Sequence, residues 1–234
     1  MWLFLVFLVG KTLAYTGAVM GVQTPCDDGQ TGINIDWNPK DYSEFTCPNA
    51  YQFVAQTDVD PLYFDLRAIN ASFNPKTDQV GHKCIHEKLV YKEIPPLRGD
   101  HRPNWARYGE YLYVPPQRWL HNLEHGTVVL LYHPCVSREE LDRLRQLVTG
   151  CLWRHVITPY NKLSQQRPLA LVSWGAKLEM NVVNDQQVVG FIRKHARNAP
   201  EDIERDGIYN QYLIHPAQVV SDAKDNSLCP SFNA

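Results

Sequence analysis

The chain has 234 residues, a formal net charge of −2 at pH 7 and an isoelectric point near 6.5. This length is sufficient for one domain with a sizeable core, and the charge balance lacks the basic footprint of a nucleic-acid-binding protein. Sixteen prolines, twelve tyrosines and six tryptophans indicate a loop-rich globular protein rather than a helical bundle.

The N-terminal segment is strongly apolar. The chain opens with nine consecutive apolar side chains, and Thr12 and Ala14 stand at suitable −3 and −1 positions for signal peptidase. We predict a signal peptide in residues 1–18, cleaved after Ala14 or Ala18, with an uncleaved membrane anchor as the alternative. No later stretch approaches the ~20 apolar residues of a membrane helix, so the sequence predicts a secreted or luminal protein without a further membrane span.

Residues 19–80 are rich in Gly, Asp, Asn and Pro, which predicts an irregular arm pinned by disulfides. Six cysteines in an exported chain predict up to three disulfides. The cysteines are Cys26, Cys47, Cys84, Cys135, Cys151 and Cys229. Cys135 and Cys151 cannot pair with each other, because the predicted helix between them spans about 18 Å and bridged Cα atoms lie within about 7 Å. Asn70 begins an Asn-Ala-Ser sequon, which predicts glycosylation.

Residues 81–234 are predicted to form an α+β domain. Three apolar or β-branched runs, at 127–132, 156–158 and 169–174, predict buried strands. Because these strands are interspersed with helical patterns along the chain, we predict the α+β class. The expected architecture is a small mixed β-sheet with packed helices and a loop-rich, disulfide-stabilised N-terminal part.

Two helices are predicted between and after these strands. Ser137 and Glu140 form a capping box, apolar residues follow at helical spacing, and Gly150 is the expected C-terminal stop. Asn184 opens the second helix, which is predicted to end before Pro200. A last short helix is predicted directly after Pro200.

The most informative segment is His-Asn-Leu-Glu-His-Gly at residues 121–126, directly before the first predicted strand. It places two imidazoles and a carboxylate against a core strand, where polar groups are costly unless they have partners. A second polar cluster, at residues 95–101, lies just upstream. Together the two clusters nominate one site, and its predicted residues are His101, His121, Glu124 and His125.

The first interpretation of this cluster is a divalent-metal site without catalysis, holding zinc or copper. His101, His121 and His125 form a three-imidazole set, and Glu124 is either a ligand or a carboxylate that orients one. Nearby histidines that could serve as further ligands are His82, His86 and His133. Convergent imidazole nitrogens would favour a metal, and an added vacant coordination position beside Glu124 would favour a hydrolase.

The second interpretation is a small zinc-dependent hydrolase, because the cluster matches the pattern H-x-x-E-H. His121 and His125 would hold zinc, and Glu124 would be the general base. This arrangement requires a helix, which Pro116 is suited to begin and Gly126 to end. The third interpretation is a ligand-free structural interaction domain, in which the same side chains only brace the fold through buried hydrogen bonds.

Four sequence blocks resemble a known family. They are Pro-Pro-x-x-Gly-x-His at 95–101, Ala-x-x-Gly-x-Tyr at 106–111, the 121–126 segment, and Ser-Trp-Gly at 173–175. Their order and spacing resemble a domain-of-unknown-function family that includes tumour protein p53-inducible protein 13-like proteins. The resemblance implies a signal peptide, an extracytoplasmic domain and a growth-restraining, tumour-suppressor-like role, and it assigns no catalytic residue. We therefore predict a secreted, non-catalytic module that has an unknown protein partner.

Overall fold

The structure is a computed structural model that describes residues 20–48 and 51–232. The predicted signal peptide at residues 1–18 lies outside these ranges. The described residues form one seven-stranded β-sheet with α-helices packed on it. None of the described helices is long and apolar enough to cross a bilayer.

Seven short strands build the sheet. In chain order they are β1 (Leu62–Asp65), β2 (Gly109–Tyr111), β3 (Val128–Tyr132), β4 (His155–Pro159), β5 (Leu169–Ser173), β6 (Ala176–Met180) and β7 (Leu213–Pro216). Their order across the sheet is β1-β6-β5-β3-β4-β2-β7. β2 and β3 both run parallel to β4, which lies between them, and the other neighbouring pairs are antiparallel. The sheet is therefore mixed, as predicted.

Four α-helices accompany these strands in the described residues. They are α1 (Leu66–Ile69), α2 (Pro116–Glu124), α3 (Arg138–Cys151) and α4 (Asp185–His195). Helix α3 connects the parallel neighbours β3 and β4, because parallel strands need a crossover between them. Helix α2 ends immediately before β3, and this places the 121–126 segment at the entrance to a central strand.

The central strands are buried on both faces of the sheet. Along β3, Val128 and Leu130 belong to the core that packs against α3 and α4. Val129 and Leu131 belong to the opposite core, which includes the apolar side chains of α2. This alternation follows from the pleat of a strand, whose successive side chains point to opposite faces. The predicted site lies on the α2 face.

The three predicted strands are confirmed as β3, β4 and β5, and no boundary is shifted by more than one residue. The predicted arm at 19–80 contributes more regular structure than its composition indicates. Its strand β1 pairs with β6 at one edge of the sheet, and the short helix α1 follows. The other edge, where β7 pairs with β2, was not predicted from the sequence.

Both long helices begin where predicted, but one cap differs. Asn184 caps α4 by accepting a hydrogen bond from the backbone of Gln187. The predicted capping box of α3 is wrong, because Ser137 makes no side-chain cap and the Glu140 carboxylate instead accepts from the backbone of Val183. The structure therefore uses Glu140 to join the start of α3 to the segment before α4.

Two predicted helix boundaries are also corrected. Gly150 does not stop α3, which continues through it to Cys151. The short helix predicted after Pro200 is absent, and this described segment has no regular structure. The backbone N–H of Glu201 instead donates to the carbonyl of Glu124. A tertiary hydrogen bond thus replaces the helical one that the local sequence favoured.

Three disulfides tie the chain together. The pairs are Cys26–Cys84, Cys47–Cys135 and Cys151–Cys229. The predicted exclusion of a Cys135–Cys151 bridge is confirmed. The first two disulfides join the N-terminal arm to the rest of the chain, and all six cysteines are paired. Three disulfides indicate an oxidising environment, extracellular or in the secretory pathway.

Candidate metal centre

Three imidazoles and one carboxylate converge beside α2. The donor atoms of His82, His101, His121 and Glu124 all lie within 4.8 Å of one another. Their side chains are 4%, 0%, 0% and 6% exposed, respectively. Several polar side chains are buried so close together only where they have partners. Moving one polar group from water into an apolar environment without a hydrogen bond costs roughly 2–7 kcal/mol.

His82 and His101 are neighbours because their backbones pair. The two residues form a parallel β-bridge, in which Lys83 N–H donates to the His101 carbonyl and His101 N–H donates to the Gly81 carbonyl. The imidazole centroids are 4.8 Å apart. The bridge brings together two segments that lie about twenty residues apart in sequence, so the contact leaves no periodic pattern in the chain.

His121 and Glu124 reach the same point from the last turn of α2. Residues three apart on a helix share one face, so both side chains project toward the bridge. Pro116 occupies the first position of this helix, and Gly126 lies just beyond its end with a positive φ of 82°. The helix that the H-x-x-E-H pattern requires is therefore present, and it begins at Pro116. Its carboxyl end carries partial negative charge, which favours a cation nearby.

Backbone carbonyls orient two of the imidazoles. Nδ1 of His101 lies 2.8 Å from the Gly99 carbonyl oxygen, and Nδ1 of His121 lies 2.6 Å from the Arg102 carbonyl oxygen. A carbonyl oxygen only accepts hydrogen bonds, so each Nδ1 must carry the proton. In the neutral tautomer the Nε2 atoms then hold lone pairs. This arrangement is typical of metal-binding histidines, whose second nitrogen donates to a backbone carbonyl or a carboxylate.

Both of these Nε2 atoms face the carboxylate. Glu124 Oε2 lies 2.9 Å from His101 Nε2, 3.2 Å from His82 Nε2 and 3.9 Å from His121 Nε2. Donor atoms on a tetrahedral zinc lie about 3.3 Å apart, given bonds of about 2.0–2.1 Å, and the observed distances bracket that value. Lone pairs and a carboxylate oxygen repel one another unless a proton or a metal cation lies between them.

The strongest indication of a metal site in this cluster is the Nε2 atom of His121. It is buried and has no hydrogen-bond partner among the described residues. Burial lowers the pKa of His121 well below its usual value, and the positive charges that His101, His125 and His82 acquire on protonation lower it further. A neutral, deprotonated Nε2 is the form that binds a metal.

Glu124 is held as a carboxylate. Burial alone would raise its pKa, but hydrogen bonds from His101 and His82 outweigh burial and bring the pKa to about 2. The side chain is therefore negatively charged throughout the physiological pH range. The negative charge of Glu124 is therefore available to offset that of a divalent cation.

His125 belongs to a second, overlapping group. The donor atoms of Glu124, His125 and Glu201 also lie within 4.8 Å of one another, and His125 Nε2 is 3.1 Å from Glu201 Oε2. The hydrolase interpretation requires His121 and His125 as joint ligands with Glu124 as a free base. In the structure, His121 groups with His82 and His101, and Glu124 contacts those imidazoles.

The structure thus brings together His101, His121 and Glu124 from the predicted set and adds His82, which the sequence offered only as a reserve. Of the other reserves, His86 is exposed, and His133 Nδ1 accepts from the backbone of Cys135. Glu201 was missed, since it lies in a polar segment without a motif.

Asn70, the predicted glycosylation site, is exposed at the end of α1. Its side-chain oxygen accepts hydrogen bonds from the backbone and hydroxyl of Ser72, the third residue of the sequon. The exposure is compatible with modification, and glycosylation stays a prediction.

Comparison with known proteins gives a family. Neither the search of curated proteins nor the search of solved structures found a match. A family model described as "Protein of unknown function (DUF3105)" matches residues 82–207. The matched region contains all six donor residues described above, which are His82, His101, His121, Glu124, His125 and Glu201. The matched region is more than half of the chain, and the protein therefore belongs to this family of unknown function.

Proposed function

We propose that this protein is a non-catalytic, extracytoplasmic module that binds one zinc or copper ion tightly between His82, His101, His121 and Glu124. The observation that carries the proposal is the buried His121 Nε2, which has no hydrogen-bond partner among the described residues. It lies in a cluster whose other donors converge on the same point. A metal would supply the missing partner of this nitrogen.

The donor chemistry supports the choice of metal. Imidazole nitrogen suits zinc and copper, and four donors complete the tetrahedral set of a structural zinc site. Catalytic zinc sites keep a coordination position for water or substrate, whereas all four of these side chains are at least 94% buried. Burial and a full donor set favour a metal that stabilises the fold or is carried, rather than one that acts on a substrate.

The test is the metal content of the purified, tag-free protein after exhaustive dialysis, measured by inductively coupled plasma mass spectrometry. The expected result is about one equivalent of zinc or copper per chain, as a full structural set of donors holds its ion strongly (apparent free energies of roughly 10–16 kcal/mol in zinc-finger peptides). The variant His121→Ala should retain less than a tenth of this metal. Glu124→Gln, which keeps the side-chain shape and removes the charge, should also lose it.

The matched control is His155→Ala, which removes another buried histidine from a different part of the fold. This variant should retain the metal, and circular dichroism should show that all three variants fold. If the wild type holds no metal after purification and after zinc or copper reconstitution, the proposal is wrong and the cluster only braces the fold. Equal metal loss in His155→Ala would also contradict the assignment.

The growth-regulatory role and the p53-inducible protein 13-like affiliation rest on the resemblance of the sequence blocks alone, and both stay predictions. The same holds for secretion by a signal peptide and for an unknown protein partner. Expression of the full chain in animal cells, with wild type compared to His121→Ala, would test whether growth restraint depends on the metal centre. Equal growth with and without expression of the chain would contradict the role.

A further inference from the structure

Glu201 is brought to the metal centre by the backbone. The Glu201 N–H donates to the Glu124 carbonyl at 3.0 Å, and the Arg197 N–H donates to the Gly126 carbonyl at 2.8 Å. These two hydrogen bonds hold the segment after α4 against the carboxyl end of α2. The Glu201 carboxylate consequently reaches His125 Nε2 at 3.1 Å and remains 34% exposed.

The contact between His125 and Glu201 leaves one buried atom unsatisfied. His125 is fully buried, and its Nδ1 has no hydrogen-bond partner among the described residues. If Nε2 carries the proton and donates to Glu201, the Nδ1 lone pair is unpaired. If Nδ1 carries the proton, a buried donor is unpaired and the Nε2 lone pair faces a carboxylate. Neither neutral tautomer satisfies both nitrogens.

Glu124 belongs to both groups of donor residues. The contacts of Glu124 with His82, His101 and His121 all use Oε2. A carboxylate carries two oxygens and about four lone-pair directions, and so it is able to bridge two cations, as carboxylates do in two-metal sites. None of these three contacts uses Oε1, and donor atoms of Glu124, His125 and Glu201 lie within 4.8 Å of one another.

We propose that Glu124, His125 and Glu201 form a second divalent-metal subsite, which shares Glu124 with the buried centre. This inference rests on the proposed function, because the two subsites share a ligand. The second subsite has three protein donors, and Glu201 connects it to solvent, so water completes its coordination as in open zinc sites. It is the weaker and exchangeable subsite, through which a divalent ion exchanges with solvent.

The electrostatic surroundings are compatible with a second cation. Arg154 approaches the His125 carbonyl at 3.4 Å, but its charge is paired with Asp202 and Asp225. Glu124 and Glu201 contribute two negative charges next to the two ions. The carboxyl end of α2 adds partial negative charge at the same place.

The test is zinc titration of the EDTA-stripped full chain, followed by native mass spectrometry and isothermal titration calorimetry. The wild type should bind two equivalents, one tight and one at least tenfold weaker. The variant Glu201→Gln should keep the tight equivalent and weaken the other by about 10–100-fold, the loss typical of removing a metal-site partner. The matched control is Glu204→Gln, which changes a carboxylate three residues away that pairs with Lys224 and should bind two equivalents.

The outcomes separate this inference from the proposed function. One tight equivalent in both the wild type and Glu201→Gln overturns the second subsite and leaves the buried centre intact. Two equivalents of unchanged affinity in Glu201→Gln overturn the assignment of Glu201 as a ligand. No zinc binding by the wild type overturns both. Loss of the weak equivalent in Glu201→Gln, with two retained in Glu204→Gln, supports the shared subsite.

Discussion

His121 and His155 are buried histidines with the same local anchor and different surroundings. Nδ1 of each meets a backbone carbonyl, at 2.6 Å from Arg102 for His121 and at 2.8 Å from Leu152 for His155. His121 lies among imidazoles and a carboxylate on the α2 face. His155 lies two residues before Ile157 on β4, so both side chains point to the same face of the sheet. This is the face opposite α2, on which α3 and α4 pack.

The difference shows which histidine is structural and which is a candidate ligand. For His155, burial lowers the pKa to about 4 and the bond to the Leu152 carbonyl opposes this effect. For His121, the neighbouring histidines lower the pKa in addition to burial. A solitary buried imidazole stays neutral at little cost. A group of imidazoles around a carboxylate offers the donors that a divalent cation binds, and the contrast between the two sites can be tested.

The largest expected effect is the loss of metal. Removing zinc with EDTA should lower the Tm of the wild type by about 8–16 °C. A ligand at a thousand times its Kd stabilises by about 4 kcal/mol, and each kcal/mol is worth about 2–4 °C in a domain of this size. Differential scanning calorimetry with and without zinc measures this shift.

The same measurement on variants sharpens the comparison. His121→Ala should melt at one temperature with and without zinc, whereas His155→Ala should keep the full zinc-dependent shift from a lower starting Tm. A zinc-dependent shift of equal size in His121→Ala would break the distinction between the two histidines.

The second expected effect is an acid destabilisation that depends on His155. The pKa of His155 is about 4 in the folded protein and about 6.5 in an unfolded chain. As the pH falls from 6.5 to 4, the unfolded chain binds the proton first, so the free energy of unfolding decreases. The loss is of the order of 3 kcal/mol, at 1.36 kcal/mol per pKa unit, and above pH 6.5 this effect vanishes.

Urea unfolding of metal-free protein between pH 4 and pH 7.5 measures this loss. His155→Leu cannot be protonated, and its stability relative to the wild type should therefore improve as the pH falls. Because both proteins keep the other histidines, their contributions cancel in the difference. Parallel curves for the two proteins over the whole range would show that His155 does not titrate in this way.

The third expected effect concerns the loop that carries His101. Asp78 accepts two hydrogen bonds from the Arg98 guanidinium and one from the Trp174 indole N–H at 3.0 Å. It thereby fixes the turn whose Gly99 carbonyl orients His101. Asp78→Ala should weaken zinc binding by about 10–100-fold, which is the usual loss when a residue that helps to orient the metal ligands is removed. A competition assay with a chromophoric chelator measures this loss.

The smallest expected effect is the control for that variant. Asp185 forms an exposed ion pair with Arg143, with both side chains about half exposed. Solvent and salt screen such a pair, so Asp185→Ala should change the free energy of unfolding by less than about 1 kcal/mol. Its zinc affinity should equal that of the wild type. If Asp185→Ala weakened zinc as much as Asp78→Ala, the effect of Asp78 would be a general loss of stability.

The central part of the fold was predictable, and its edges were not. Strands β3 and β5 are covered by helices or loops on both faces. The sequences of such strands are continuous runs of apolar residues. Strands β1 and β7 are four residues long and largely exposed. Such a short, exposed edge strand has too few buried residues to show an alternating hydrophobic pattern. Its position in the sheet depends on pairing with β6 or β2, and no local sequence pattern predicts that pairing.

The centre was likewise predictable only in part. The sequence indicated His121 and Glu124, since both lie in one helical turn next to a core strand. The H-x-x-E-H pattern also grouped His125 with these two residues. The structure instead places His125 Nε2 against the Glu201 carboxylate. That alternative depends on the segment after α4 docking on the end of α2, and the role of His125 as a ligand stays a prediction.

The amino-acid sequence by itself determined the class of fold, the even set of cysteines and the helix that presents two donors. These features depend on short-range periodicity and composition, which a chain displays before it folds. Only the tertiary structure decided that His82 completes the buried centre and that Glu201 approaches it. Both depend on hydrogen bonds between segments far apart in sequence, the His82–His101 bridge and the Glu201–Glu124 contact. Such pairings are selected by the packing of the whole domain.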